Sequence, residues 1–155
     1  MDGSLIGITP GLTIYVPPDE PRQRELMAWA ERIVPGTGIA TASGFGILRD
    51  GSVIAAIMYS NFRPPHMCDI GIVSVDQRWC SREVLRRAFY GPFRVWNVRR
   101  LGAITSRKNK KARNLAERLG FKFEGIARQG WAPGGDAACY SMLPHECRWL
   151  GESHE

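Results

Sequence analysis

Asn109-Lys110-Lys111-Ala112-Arg113-Asn114-Leu115-Ala116-Glu117-Arg118-Leu119-Gly120-Phe121 is the stretch from which the rest of the chain can be read. An Asn side chain can accept from the first turn of a helix, so Asn109 marks a start. Ala112, Leu115, Ala116 and Leu119 then recur at three- and four-residue spacing, which puts them on one face, and Gly120 supplies the left-handed stop. Upstream, Leu101 to Thr105 reads as a short strand. Downstream, Phe121 to Arg128 and Asp136 to Leu143 read as two strands joined by a loop containing Gly130, Pro133, Gly134 and Gly135.

Moving toward the amino terminus, Met67 to Val75 is too apolar for an exposed edge and reads as a central strand. Ser81 caps a second helix with Val84, Leu85, Ala88 and Phe89 on one face. Phe93 and Trp96 extend that face beyond Gly91-Pro92, where Pro92 kinks or divides it. Phe45 to Arg49 and Ser52 to Ser60 flank Asp50-Gly51, a dipeptide that tolerates positive φ and signals a hairpin. Before them lies a Gly-, Thr- and Ser-rich loop, Pro35 to Gly44. A first helix carries Leu26, Trp29, Ala30 and Ile33, with Asp19 before it and Pro21 in its first turn. Thr13 to Val16 is the first strand. The order β-α-β-β-β-α-β-α-β-β predicts an α/β (α+β) domain over residues 1–155, with about six to seven strands and three to four helices.

Composition agrees with one globular domain. The chain has 155 residues, of which 44% are hydrophobic and 23% charged, enough apolar surface for a core. It shows no apolar run of about 18 residues and no secretory leader, so the expectation is a cytoplasmic protein without a membrane. Cys68, Cys80, Cys139 and Cys147 lack Cys-x-x-Cys spacing and read as reduced thiols. His66-x-Cys68 and His145-x-Cys147 have ligand chemistry for zinc, but strand alternation gives each pair the same spacing, so no metal is expected. The net charge of +6 and pI near 9.5 call for an anionic partner. The basic residues bunch in Arg78 to Arg87 and Arg99 to Lys111 without interleaved aromatics. That pattern favours a compact phosphate-bearing ligand over nucleic acid.

The 109–121 stretch followed by Glu124-Gly125 resembles the final third of the GNAT (Gcn5-related) N-acetyltransferases. The wider run from Arg78-Trp79 through Arg99-Arg100 to Glu146-Cys147-Arg148-Trp149 is most similar to small members encoded by tailed bacteriophages, related to ribosomal-protein and N-terminal acetyltransferases. The resemblance covers roughly residues 45–150. It implies the GNAT fold, acetyl-CoA as cosubstrate, and transfer of acetyl to a primary amine of a protein or small molecule in a ternary complex. It also implies a host-cytoplasm or virion location, with a homodimer or a virion assembly as further partners. Two other classes fit the same chain: a GNAT-shaped structural protein without catalysis, and a basic nucleic-acid-binding module.

The resemblance assigns roles residue by residue. The backbone of Val73, Ser74 and Val75 is to pair with the pantetheine arm. The turn Gln77-Arg78-Trp79-Cys80-Ser81-Arg82 matches the family's Q/R-x-x-G-x-G/A pyrophosphate loop. It keeps Gln77 but carries Cys80 and Arg82 where the glycines stand. The helix start after it presents unpaired N–H groups to an anion, with Arg78, Arg82, Arg86 or Arg87 adding charge. Asn109 matches an asparagine that contacts the cofactor arm, and equally serves as a plain helix cap. Arg113, with Arg107, Lys108, Lys110 and Lys111, lies where a 3′-phosphate could reach. Asp69, a carboxylate within an apolar strand, is the first candidate base, and His66 the second. The family's usual acid, a tyrosine, is replaced by Ala116, which leaves Tyr140, Ser106 or solvent to protonate the thiolate. Acceptor choice falls to the loops Pro35 to Gly44 and Gln129 to Asp136.

Overall fold

A computed structural model describes residues 4–9, 11–37, 43–63 and 65–151. The elements are β1 (Ser4–Thr9), β2 (Leu12–Val16), α1 (Glu20–Ile33), β3 (Ser43–Arg49), β4 (Ser52–Arg63), β5 (Met67–Ser74), α2 (Arg82–Tyr90), β6 (Arg100–Ser106), α3 (Lys110–Leu119), β7 (Lys122–Ala127) and β8 (Ala137–Met142). A 3₁₀ turn, Gln77–Trp79, precedes α2, and a π-helical turn, Gly91–Val95, follows it. The strands hydrogen-bond in the order β1-β2-β3-β4-β5-β6-β8-β7. The sheet is mixed: β5 pairs with β6 in parallel, whereas β6 pairs with β8 and β8 with β7 antiparallel.

The sheet holds eight strands where the sequence led us to expect six to seven, and the difference is β1. Ser4–Thr9 has too few alternating residues to be read as a strand alone. It becomes one by pairing with β2, from Ser4 opposite Val16 to Thr9 opposite Leu12, with Gly11 at φ +84° in the connection. The Pro92 expectation is met by the π turn, in which the helix widens rather than stops. Of the loop expected over Pro35 to Gly44, residues 38–42 lie outside the described residues, as do Met1 to Gly3, Pro10 and Pro64.

The chain forms two compact units, and β4 and β5 contribute residues to both. The first holds the described residues up to Ser60 together with Gly71–Ala88. Its α1 starts at Asp19, whose carboxylate accepts from Arg22 N at 3.0 Å, and packs Leu26, Met27 and Ala30 onto Ala56, Met58 and Val73. In α2, Val84, Leu85 and Ala88 are buried, and the Tyr59 hydroxyl donates to the Ala88 carbonyl at 2.5 Å.

The second unit comprises Asn61–Ile70 and the described residues from Phe89 onward. Leu101, Tyr140 and Met142 are fully buried there, and the Phe89 ring lies 6.0 Å from that of Phe121. Asn109 caps α3 by accepting from Ala112 N at 3.1 Å, and Gly120 ends it at φ +105°. A Cβ at Gly120 would meet the Arg148 guanidinium at 3.2 Å as well as carry the left-handed strain of an L-residue. Gly120→Ala is therefore expected to lower unfolding stability by about 1–2 kcal/mol in denaturant titration, with the native fold retained.

Candidate functional site

In the first unit the site is built from the end of β5, the turn after it and the start of α2. Val75 N donates to the Ile54 carbonyl at 2.9 Å, so the Val75 amide is taken by the neighbouring strand. Strand alternation then points the N–H and C=O of Ser74 and Ile72 away from β4. Of the three residues expected to offer backbone to a ligand, Ser74 turns its backbone groups away from β4, Val75 gives its N–H to Ile54, and Val73 packs its side chain in the core.

The turn itself is held by Asp76. Its carboxylate accepts from Arg78 N at 2.9 Å and takes the Arg78 guanidinium at 2.5 Å. The hydrogen bonds from Arg78 hold this carboxyl down at about 2, against 3.8 for an unperturbed Asp. With the folded value below the unfolded one, the pair's contribution is complete above about pH 4 and is lost as pH falls toward 2. Arg78 thus brings less free positive charge than its position suggested. Trp79 was expected to contact a cofactor, but its side chain is 3% exposed; it anchors the turn from inside.

Cys80 has φ −82°, which any residue adopts, so the missing family glycine is not required by backbone conformation here. Its side chain is exposed. The Cys80 and Ser81 amides are spent on the Gln77 and Trp79 carbonyls, and Ser81 Oγ accepts from Val84 N at 3.2 Å. The amides of Arg82 and Glu83 are in the first helical turn, where a helix has no internal acceptor, and they remain for an anion. Arg82, Arg86 and Arg87 are exposed, and none makes an ion pair among the described residues.

In the second unit the β5–β6 ladder has three pairs: Met67 with Arg100, Cys68 with Leu101 and Asp69 with Gly102. Asp69 occupies the last of them. Its Oδ2 accepts from Asn61 Nδ2 at 2.8 Å, and its Oδ1 fills the space that a Cβ on Gly102 would need. His66 stands three residues away on an exposed turn at φ +82°, where its carbonyl accepts from Arg99 N at 2.6 Å. Nearby, the Arg100 guanidinium forms a two-pronged pair with Glu124. No group of three or more His, Cys, Asp or Glu side chains suited to a metal comes together among the described residues.

Tyr140 and Arg113 depart from their expected roles together. Tyr140 is 1% exposed, with its hydroxyl accepting from Arg113 Nε at 3.0 Å, so it lies in the core and not at a rim where a thiolate would leave. Arg113 also donates to the Arg107 carbonyl at 3.1 Å and lies 5.3 Å over the Phe123 ring, committed to holding α3 on the sheet. Arg107 pairs with Asp136, which leaves Lys108, Lys110 and Lys111 as the exposed cations of this segment without ion pairs among the described residues. Ser106 Oγ accepts from Lys108 N, and the Asn109 side chain is used as the cap. In the loop Gln129 to Asp136, Asp136 accepts from Gln129 N at 2.9 Å and ties its two ends.

Sequence reading missed Asn61, Asp76 and Gly102. Asp76 and Asn61 act through partners two and eight residues away, which no spacing rule singles out. Gly102 inside a strand is a recognised mark of close approach and was the available signal.

No protein-family profile matches the chain, and no curated protein does. Solved structures do match in shape. A GCN5-related N-acetyltransferase from Brucella melitensis superimposes with TM-score 0.65 at 18% identity, over 94% of this chain and 81% of that one. A ribosomal-protein-S5-alanine acetyltransferase from Vibrio fischeri gives 0.65 at 15% over 94% and 99%. A spermidine N-acetyltransferase variant from Vibrio cholerae gives 0.66 at 14% over 94% and 100%. The chain has the fold of the GNAT acetyltransferases.

The two best-defined thiols give a direct probe of this geometry. Burial first, and the Asp69 charge second, push the Cys68 thiol up to about 11, whereas Cys80 stands exposed on the turn. With iodoacetamide near pH 8, peptide mass spectrometry is expected to find Cys80 alkylated well before Cys68.

Proposed function

We propose that the protein is an acetyltransferase that carries acetyl from acetyl-CoA to a primary amine. The observation that supports this most is the short β5–β6 ladder. It stops at Asp69, after which β5 runs on to Ser74 with backbone groups available and then into a turn that opens α2. The pantetheine arm pairs with Ser74, and the pyrophosphate takes the Arg82 and Glu83 amides with Arg82 and Arg86 beside them. Exposed Cys80 at a negative φ leaves this approach clear. Lys108, Lys110 and Lys111 supply charge for the 3′-phosphate.

Asp69 is the base. It takes a proton from the acceptor's ammonium, and the freed amine nitrogen bonds to the thioester carbonyl carbon as the carbon–sulfur bond breaks. The second nitrogen proton is lost as the amide forms, and the departing thiolate collects one proton from water. The products are the acetylated amine, coenzyme A as its thiol and one released proton. Water is assigned the acid role because Tyr140 is buried under Arg113. The acceptor is an amine of a protein or a small molecule. Neighbours named for a ribosomal protein and for spermidine share the fold, and both substrate types are within its reach.

A second reading, a GNAT-shaped protein without catalysis, draws on the buried Tyr140 and the Arg78 charge met by Asp76. Isothermal titration with acetyl-CoA and desulfo-coenzyme A separates the two. Binding is expected, weakened about tenfold by Arg82→Glu and less by Arg78→Glu; absence of binding would favour the non-catalytic protein. In an acceptor screen, Asp69→Asn is expected to lower kcat by about a hundredfold or more with acetyl-CoA affinity unchanged.

A further inference from the structure

We infer that Asn61 and Gly102 are positioning residues that together fix the carboxylate of Asp69, Asn61 by its side-chain amide and Gly102 by the room it leaves. The inference rests on Asp69 acting as the base.

Asn61 lies near the end of β4 at φ +53°, a left-handed conformation that is uncommon for any residue but glycine and least costly for Asn and Asp. Such a residue inside a strand breaks the alternation of faces and re-aims its side chain. Here the side chain reaches Asp69 Oδ2 at 2.8 Å. His66, in the turn between β4 and β5, also has positive φ. Positive φ thus occurs twice in the segment that leads from the end of β4 into the strand carrying this carboxylate.

Gly102 completes the arrangement from β6. A Cβ there would overlap Asp69 Oδ1 and come within 3.4 Å of its Cγ. The obstacle is the end of a side chain and not a backbone, so an alanine would leave the ladder intact and turn the carboxylate out of its place. Asp69 is therefore held at one oxygen by a donor and at the other by a gap, on the last pair of the ladder. The charged and titratable groups around it are Arg100 on β6, Cys68 beside it in the chain, and Glu124 on β7, which engages Arg100. Arg100 holds its proton more firmly because of Glu124 first and of Asp69 after it. None of them hydrogen-bonds to Asp69 among the described residues, which leaves Asn61 as the positioning donor.

Asn61→Gly is the decisive variant, because glycine keeps the left-handed backbone without strain and removes only the amide. A structural role for Asn61 predicts an equal or higher Tm and unchanged turnover. The positioning role predicts an equal or higher Tm with kcat lowered about ten- to a hundredfold and the KM for acetyl-CoA kept. Gly102→Ala is expected to lower kcat similarly, and neither variant should lower it further on the Asp69→Asn background. The assay uses acetyl-CoA with an alanine-led peptide and with spermidine as acceptors. In parallel, the Asn61 side-chain amide signal in ¹H–¹⁵N spectra should move in Asp69→Asn and in Gly102→Ala. Unchanged turnover in Asn61→Gly, or an amide signal indifferent to both substitutions, overturns the inference. If the wild-type protein binds no acetyl-CoA, the acyltransferase reading fails instead, and the amide signal still decides whether the carboxylate is held.

Discussion

The parallel pairing of β5 with β6 ends after Asp69 and Gly102, and the Asp69 carboxylate can lie against that last pair because Gly102 has no side chain. A polar carboxylate on an otherwise apolar strand has to go somewhere, and here it lies over the α-carbon of the adjacent strand. Every larger residue at 102 would contest that space. The same pair therefore sets the orientation of the one carboxylate in β5.

In the first unit, the core under α1 fixes where β5 runs. Val73 is locked among Leu26, Met27 and Ala30, so the strand's other edge carries the backbone groups of Ser74 outward. The turn that follows is braced from both sides, by Trp79 within and by the Asp76–Arg78 pair without. That bracing keeps the first turn of α2 in a defined place, which an anion site made of backbone amides requires, since such groups cannot adjust individually.

The second unit spends its polar residues differently. Tyr140 and Arg113 look like chemistry in the sequence, yet they satisfy one another beneath α3, with Phe123 covering the guanidinium. A buried hydroxyl needs a partner and a half-buried guanidinium needs several, so each resolves the other's cost. Arg100 and Glu124 do the same across β6 and β7. Asp69, by contrast, receives a neutral donor and no ion pair among the described residues.

The sequence by itself determined the elements whose signals are local. Asn109 and Gly120 marked the ends of α3 because capping acts within four residues, Asp50-Gly51 marked the β3–β4 turn, and the apolar run from Met67 marked the central strand. Asp69 stood out for a similar reason, as a carboxylate among apolar neighbours. What required the tertiary structure was every assignment that depends on a partner distant in the chain. Strand β1 exists only against β2. Trp79 and Tyr140 were read as site residues because type and position suggested it, while burial, a property of the assembled sheet and helices, placed both in the core. Asn61 was silent in the sequence, and Gly102 signalled a close approach without saying to what, since a donor eight residues from its acceptor and a gap thirty-three residues from the group that fills it appear only when three strands lie side by side.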